Sequence, residues 1–270
     1  ENTNYFLLVD NKKYILTIYE KRVKEKDLPF FSQLMSNLNK SGFKCPIPIE
    51  NNEKKTIINY KNKNLKIISF LEGKAKNILS PKDCRSVGEE VARMHEITKN
   101  FKIQRENNLS VSSLRRIFDQ VKDKCVKIHK DLPSLIELNL KDVEKNWPKN
   151  LPKGIIHADL FSDNIFFNKN NFSGIIDFYF SCNDFYALEI AICFNALCFD
   201  GPKNNLSFNV TKAINFMNGY SQVRKITNDE KKYIKVLSQG SALRFLLTRV
   251  FDSLNTVEGA IVKVKDPMEY

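Results

Sequence analysis

The alternation of hydrophobic and polar residues over the first 70 positions predicts a small antiparallel sheet with one helix. Two apolar runs flank the polar turn Asp10-Asn11-Lys12, an arrangement that is typical of a β-hairpin. Apolar residues then recur at helical spacing and stop at Ser41-Gly42, which predicts an amphipathic helix. The predicted elements are strands at 5–9 and 14–19, a helix at 28–38, and strands around 56–60 and 65–70.

Beyond Glu72-Gly73 the pattern becomes mostly helical, with three short apolar strands in between. Ser80-Pro81 has the residue types of an N-cap and a first helical position, and Thr227-x-x-Glu230 is a capping box. The segment 184–198 is apolar on almost all sides, which predicts a buried helix. The predicted helices cover 80–99, 111–129, 134–147, 184–198 and 227–254, and the strands cover 154–156, 165–167 and 173–176.

These elements predict an α+β fold with two lobes. Residues 1–70 are predicted to form a β-rich, nucleotide-binding lobe, and residues 71–270 a helical lobe that contains the motif described next. A hydrophobic content of 42% with 20 Phe residues supplies ample core for such a fold. No apolar run reaches the roughly 18 residues that a membrane-spanning helix needs.

The segment from His157 to Asn164, followed by Asp177-Phe178, has the residues of a phosphoryl-transfer site. Asp159 and Asn164 are five positions apart and Asp177 comes thirteen later, the spacing of a kinase catalytic loop and its metal-binding Asp-Phe pair. In that chemistry one carboxylate orients the attacking hydroxyl and accepts its proton, while an amide oxygen and a second carboxylate hold Mg²⁺ on the ATP phosphates. We therefore predict Asp159 as the catalytic base, Asn164 and Asp177 as Mg²⁺ ligands, and His157 as a structural residue that bonds nearby backbone. The alternative is a chance match with Asp159 as a capping carboxylate.

Charged residues in apolar helical segments are candidates for binding the substrate. Asp184 and Glu189 fall in the apolar segment 184–198, and Arg244 lies in an equally apolar part of the last helix. Because an unpaired buried charge is costly, these groups either form an ion pair between the last helix and the catalytic region or bind the ammonium and carboxylate of an amino acid. Arg249 is a second candidate for the carboxylate, and Asp163 either faces the substrate or caps a turn.

Composition narrows the class of protein. The net charge of +12 comes from 34 Lys and only nine Arg, which are spread along the chain and indicate a solvated surface rather than a nucleic-acid interface. Six cysteines lie at spacings that fit no zinc site, which favours reduced thiols and a cytoplasmic location. The chain opens on Glu1 in strand-like sequence without a signal peptide, so we expect that the N-terminal part of a longer protein is missing.

With this motif the chain resembles the aminoglycoside phosphotransferase and choline kinase group, which has a two-lobed protein-kinase-like fold. Longer blocks resemble the homoserine kinases of that group: ENTNYFLL, YEKRVKEKDLPFF, ISFLEG, HADLFSDNIFF, GIIDFYFSCNDFYALEIAICFNALCF, ALRFLLTR and the terminal KDP. The resemblance covers essentially all 270 residues. It implies phosphorylation of the L-homoserine hydroxyl by ATP with Mg²⁺, a step toward threonine, with no nucleic-acid or membrane partner. A monomer is the default expectation.

The resemblance also assigns the nucleotide site, with one departure. It implies that Asn4 ends the loop over the phosphates and that the hinge at Ser69, Phe70 and Leu71 holds adenine. Thr17 stands where the third kinase strand normally has a Lys for the phosphates, and the following helix has Gln33 but no Glu to pair with such a Lys.

Lys21 or Arg22 could replace that missing Lys. Three alternatives therefore stay open: a homoserine kinase, another small-molecule alcohol, choline or aminoglycoside kinase, and an inactive nucleotide-binding module. A protein kinase is disfavoured because only six residues separate Asp177 from Asp184.

Overall fold

The chain, seen in a computed structural model that describes residues 2–19, 23–202, 205–255 and 265–269, folds into two compact units. The first unit comprises Glu1–Glu106, Gly154–Asp184 and Val210–Lys225, and the second comprises Asn107–Lys153, Phe185–Asn209 and Ile226–Tyr270. All of the candidate nucleotide and catalytic residues belong to the first unit. The predicted lobe boundary divides the chain once, near residue 70, whereas each of these units combines three separate segments. The boundary therefore stays a prediction.

The described residues contain helices and strands in a mixed order. The strands are β1 (Thr3–Val9), β2 (Lys12–Tyr19), β3 (Ile58–Tyr60), β4 (Lys63–Ser69), β5 (Lys74–Ala75), β6 (Lys153–Ile156), β7 (Ile165–Asn168), β8 (Asn171–Ile175), β9 (Cys182–Phe185), β10 (Phe199–Asp200) and β11 (Ser207–Phe208). The helices are α1 (Leu28–Lys40), α2 (Pro81–Ile97), α3 (Val111–Cys125), α4 (Leu132–Asn146), α5 (Tyr186–Leu197), α6 (Val210–Val223) and α7 (Asn228–Leu254).

The first unit contains a four-stranded antiparallel sheet in the order β1-β2-β4-β3. Its hairpin turn places Asp10 and Asn11 at φ of 48° and 60°, the left-handed backbone that two-residue hairpin turns require and that Asp and Asn tolerate. In the register of the sheet, Asn4 lies opposite Thr17 and Thr17 lies opposite Lys66. Directly paired residues share one face of a sheet, so these three side chains form a row across β1, β2 and β4.

Short strands position the catalytic motif in the same unit. A three-stranded sheet has the order β5-β7-β8, and β6 pairs with β9. Asn164 directly precedes β7, and β8 ends two residues before Asp177. The polar residues of the motif therefore stand at strand ends, as their apolar flanks predicted.

Helices α2 and α6 pack closely within the first unit. At their contact a Cβ on Gly88 would overlap the Phe216 carbonyl, and one on Gly219 would overlap the Arg85 carbonyl. The two backbones therefore approach each other more closely than any side chain would allow.

The second unit has a core made from α3, α4 and α7. Its fully buried members include Phe118, Ile136, Leu140 and Leu247. Helix α5 also packs on α7, and Thr227 and Glu230 cap the start of α7 reciprocally, as the capping box predicted.

Most predicted elements are confirmed, and the structure differs from the prediction at several points, among them the unpredicted two-residue strands β5, β10 and β11. Asp184 lies in β9, not in the helix predicted at 184–198, which starts at Tyr186. Helix α6 was not predicted at all, although it runs over Val210–Val223. None of the described helices is both long and apolar enough to cross a membrane.

Candidate active site

Two residues of the candidate catalytic segment (residues 157–178) have a left-handed backbone, a conformation that residues other than glycine disfavour. Ala158 has a φ of 65°, and Asp177 has φ 65° and ψ 61°. Such a conformation costs about 1 kcal/mol or more at a residue other than glycine, and it persists only when its surroundings fix it. The packing and hydrogen bonds around these two positions therefore hold the loop in shape.

His157 joins the two halves of the motif. The Asp159 N–H donates to His157 Nδ1 at 3.3 Å, and His157 Nε2 lies 2.9 Å from the Ile176 carbonyl oxygen. Since Nδ1 accepts, the proton resides on Nε2, which donates to that carbonyl. The ring also contacts Phe178, with centroids 4.8 Å apart. This fully buried imidazole links the backbone of Asp159 to the residue just before Asp177.

Asn164 is oriented by Asp159. Its Nδ2 donates to the Asp159 carbonyl at 2.8 Å and to the Asp159 Oδ2 at 3.3 Å. Both contacts require the nitrogen on the Asp159 side, so the Asn164 Oδ1 faces away from Asp159. The Asn164 carbonyl accepts from the Ile176 N–H at 3.0 Å, which ties this residue to the strand that leads to Asp177. The arrangement fixes the Asn164 amide, with its nitrogen on Asp159 and its oxygen turned away from that residue.

The oxygens of Asn164 and Asp177 suit a magnesium ion that arrives with a nucleotide. Asp177 is exposed, and Asn164 is 9% exposed. Across the residues that the structure describes, no group of three or more His, Cys, Asp or Glu side chains could by itself hold a metal. Mg²⁺ is commonly bound by one or two protein oxygens, with phosphates and water as the other ligands. One amide and one carboxylate match that mode of binding.

The residues after Asp177 are fixed to the sheet and to α1. The Tyr179 hydroxyl lies 3.1 Å from the Tyr19 hydroxyl, and the Tyr179 ring packs edge-on to Phe31 at 5.6 Å. Burial, together with the nearby charge of Asp177, raises the pKa of both hydroxyls, so both stay protonated. The residues that follow Asp177 therefore include a packed, protonated tyrosine pair.

The row formed by Asn4, Thr17 and Lys66 occupies the strands where a kinase has its phosphate-binding Lys. Thr17 Oγ1 donates to Asn4 Oδ1 at 2.7 Å. Lys66, opposite Thr17, is 1% exposed, and its Nζ has no hydrogen-bond partner among the described residues. Burial lowers its pKa to about 7. Sequence reasoning missed Lys66, although its place on the buried face of β4 follows from its pairing with Thr17.

The predicted hinge is partly occupied by the protein's own hydrogen bonds. The Ser69 N–H donates to the Ile47 carbonyl at 2.8 Å, and the Phe70 N–H donates to the Lys13 carbonyl at 3.2 Å. The Phe70 ring packs under the Lys13 ammonium, 5.4 Å from the ring centroid. Hinge contacts to a base would therefore use the carbonyls of these residues and the backbone of Leu71.

The substrate candidates are divided between the two units. Asp163 is exposed in the turn before β7, and Asp184 is partly exposed in β9, both in the first unit. In the second unit Glu189 is 0% and Arg244 3% exposed, on the packed helices α5 and α7. Arg249 forms an ion pair with Glu269 at 2.6 Å. Lys21 and Arg22, the possible replacements for the strand Lys, lie outside the described residues.

Comparison with known proteins places the chain in a family. Residues 1–215 match the model of the phosphotransferase enzyme family. A homoserine kinase of Beijerinckia indica is 44% identical over 270 residues, which are 100% of this chain and 83% of that protein. A homoserine kinase of Bradyrhizobium diazoefficiens is also 44% identical, over 271 residues, 100% of this chain and 82% of that protein.

Solved structures of kinases share the fold at low sequence identity. An amicoumacin kinase superimposes with a TM-score of 0.72 at 14% identity, over 97% of this chain and 81% of that one. The choline kinase of Cryptosporidium parvum gives 0.64 at 17% identity, over 93% and 80% of the two chains. The predicted two-lobed, protein-kinase-like fold is thereby confirmed. The chain therefore belongs to the phosphotransferase enzyme family, with homoserine kinases as its relatives.

Proposed function

We propose that this protein transfers the γ-phosphoryl group of ATP to the hydroxyl of L-homoserine, a step of threonine biosynthesis. The observation that carries the proposal is the contact of Asn164 Nδ2 with Asp159 Oδ2, at 3.3 Å, together with the exposed carboxylate of Asp177 after β8. It combines a carboxylate for the hydroxyl with two oxygens for a metal, the set that phosphoryl transfer needs. Relatives that are 44% identical over the whole chain are homoserine kinases, which supports homoserine as the acceptor.

In the proposed reaction Asp159 orients the homoserine hydroxyl and takes its proton. The hydroxyl oxygen forms a bond to the γ-phosphorus while the bond between that phosphorus and the β–γ bridging oxygen breaks. The electron pair of the broken bond leaves with ADP, and the proton passes through the Asp159 carboxylate to solvent. The His157 contact with the Asp159 N–H keeps this carboxylate in place without itself exchanging a proton with the substrate.

Asn164 and Asp177 are proposed to hold Mg²⁺ on the ATP phosphates. When bound, the ion would neutralise charge that builds up on the transferring group. The Asn164 amide already has its nitrogen committed to Asp159, so no side-chain rotation is needed before its oxygen can bind. This fixed orientation supports the proposed metal role of Asn164.

The nucleotide is proposed to contact Asn4, Thr17 and the hinge at Ser69, Phe70 and Leu71. Thr17 has no charge to offer the phosphates, and its hydroxyl is bonded to Asn4. Mg²⁺ and the positive potential of a chain with net charge +12 would therefore supply more of the attraction than in a kinase with a strand Lys.

Homoserine is a zwitterion, so its binding requires one cation for the carboxylate and one anion for the ammonium. Asp163 and Asp184, which belong to the same unit as Asp159, are the proposed candidates for the ammonium. Arg244 and Arg249 stay the sequence-based candidates for the carboxylate. A polycationic aminoglycoside would need a strongly acidic surface, which is less compatible with a net charge of +12.

The test is ADP release over a panel of homoserine, serine, threonine, choline, methylthioribose and kanamycin. We expect homoserine to lead in kcat/KM by at least about tenfold, or about 1.4 kcal/mol of transition-state discrimination. Equal or faster turnover of choline or kanamycin would overturn the homoserine assignment and leave a kinase. ATP binding without turnover of any acceptor would instead identify an inactive module, the alternative that Thr17 at the usual Lys position favours.

A further inference from the structure

Arg105, in the loop between α2 and α3, contacts both the start of α1 and the segment that follows Asp177. Its Nε lies 2.9 Å from Asp27 Oδ2, and both side chains are only 12% exposed. Its Nη1 donates to the Ser181 carbonyl at 2.8 Å and to the Phe180 carbonyl at 3.4 Å. One guanidinium thus connects the start of α1 with the segment that follows Asp177.

The surroundings of Arg105 restrict it to this position. The guanidinium carbon lies 4.9 Å from the centroid of the Phe31 ring on α1. The Arg105 N–H donates to Asn183 Oδ1 at 2.8 Å, and the Asn183 N–H donates to the Arg105 carbonyl at 2.7 Å. Asp27 is the N-cap residue of α1, yet its carboxylate makes no capping hydrogen bond and bonds Arg105 instead.

The Arg105 guanidinium donates hydrogen bonds in two fixed directions, which a Lys ammonium cannot do. The guanidinium donates from Nε in one direction and from Nη1 in another, while its carbon lies over the Phe31 ring. An ammonium is a point charge without this fixed fork, so Lys at position 105 could keep the charge but not bridge the same three groups. Hydrogen bonds of this charge-assisted kind are also stronger than neutral ones.

We propose that Arg105 is a positioning residue that fixes the Asp177 segment to α1, the mechanical role that a strand Lys and a helix Glu play elsewhere. The chain lacks both members of that pair, with Thr17 on β2 and Gln33 on α1. The left-handed Asp177 needs its surroundings to fix it, and Arg105 bonds the backbone three and four residues later. The proposal rests on the proposed function only for its kinetic readout.

The test compares Arg105→Lys with Arg115→Lys. Arg115 is a matched control, because it also forms a fork, to Glu137 and Glu144, with its guanidinium carbon 5.9 Å from the centroid of the Phe118 ring, but it lies in the second unit. We expect Arg105→Lys to raise the Mg²⁺ concentration for half-maximal kcat up to about tenfold, because the backbone that follows Asp177 would be held less firmly. Arg115→Lys should leave it unchanged, and added guanidinium should partly restore Arg105→Ala.

The outcomes separate this proposal from the proposed function. Mg²⁺-dependent ATP affinity, measured by calorimetry, tests Arg105 even if homoserine proves not to be the acceptor. A shift for Arg105→Lys and Asp27→Ala, without one for Arg115→Lys, supports the tether. Equal Mg²⁺ dependence in all variants, or an equal loss of melting temperature with no change in Mg²⁺ dependence, would overturn it.

Discussion

The catalytic segment has the polar residues of an ordinary kinase, whereas the β2–α1 region of the first unit lacks the Lys–Glu ion pair of an ordinary kinase. The catalytic segment keeps its polar residues, with Asp159, Asn164 and His157 joined by direct hydrogen bonds. The β2–α1 region has lost its ion pair, and Thr17 bonds Asn4 where a Lys would bind a Glu.

This contrast indicates which contacts phosphoryl transfer depends on. A hydroxyl proton and a metal ion each need oxygens at fixed positions, and a neutral side chain cannot replace a carboxylate there. The Lys–Glu pair supplies charge and a mechanical link, and both can be provided in other ways. In this protein the metal and the net charge of +12 are proposed to provide the charge, and Arg105 the link.

The largest expected effect is in the catalytic segment. Asp159→Asn should lower kcat about 100-fold or more, because an amide cannot take the hydroxyl proton. The KM for ATP should change less than about twofold, since Asp159 faces the acceptor. Steady-state kinetics with homoserine measures both, with Asp123→Asn, an exposed carboxylate on α3, as the control. Near-normal turnover by Asp159→Asn would show that Asp159 is not the catalytic base.

Asp177→Asn should lower kcat/KM about ten- to a hundredfold, because a neutral oxygen binds Mg²⁺ less well than a carboxylate does. The defect should shrink as the Mg²⁺ concentration rises, and EDTA should abolish the activity of the unmodified protein. If kcat/KM depended neither on the Mg²⁺ concentration nor on Asp177, the proposed metal role would be wrong.

Lys66, which lies opposite Thr17 of β2, is expected to make the stability of the protein depend on pH. Its folded pKa of about 7 lies below the ordinary value of 10.5, so between these values the unfolded chain binds the extra proton. The free energy of unfolding should therefore rise with pH over that window, and below about pH 7 the full burial cost remains.

Lys66→Met should raise the free energy of unfolding by about 2 kcal/mol at neutral pH and remove this contribution to the pH dependence. Urea unfolding at several pH values measures it, with the exposed Lys63→Met on the same strand as the control. Identical pH profiles for the two variants would indicate that the Lys66 ammonium is solvated.

The smallest expected effect is on β2 itself. Thr17→Val removes the hydroxyl that bonds Asn4, a contact of about 1 kcal/mol, so the KM for ATP should rise at most about fivefold. In a kinase whose strand Lys binds the phosphates, the corresponding position is far more sensitive. Loss of turnover in Thr17→Val would mean that this residue takes part in the chemistry.

The local parts of the fold could be predicted from the sequence. The hairpin turn at Asp10 and Asn11, the caps at Ser80 and Thr227, and the spacing of the motif each depend on residues close together in the chain. Chain neighbours determine these features, so one sequence suffices to find them.

Features that depend on distant contacts could not be predicted. Helix α6 contains Asn and Gly219, which suggest a loop, but Gly219 is there because the α2 backbone passes directly over it. Asp184 belongs to a strand because β9 pairs with β6, far away in sequence. The bridge from Asp27 through Arg105 to Ser181 spans more than 150 residues and leaves no periodic signal.

The central claim is that an intact catalytic segment makes this protein an active homoserine kinase without a strand Lys. Phosphorus NMR of a reaction with ATP, Mg²⁺ and homoserine tests it directly. We expect one new phosphate monoester signal that grows in equal amount with ADP, and only when homoserine and Mg²⁺ are both present. ATP that stays intact, or that yields inorganic phosphate alone, would contradict it.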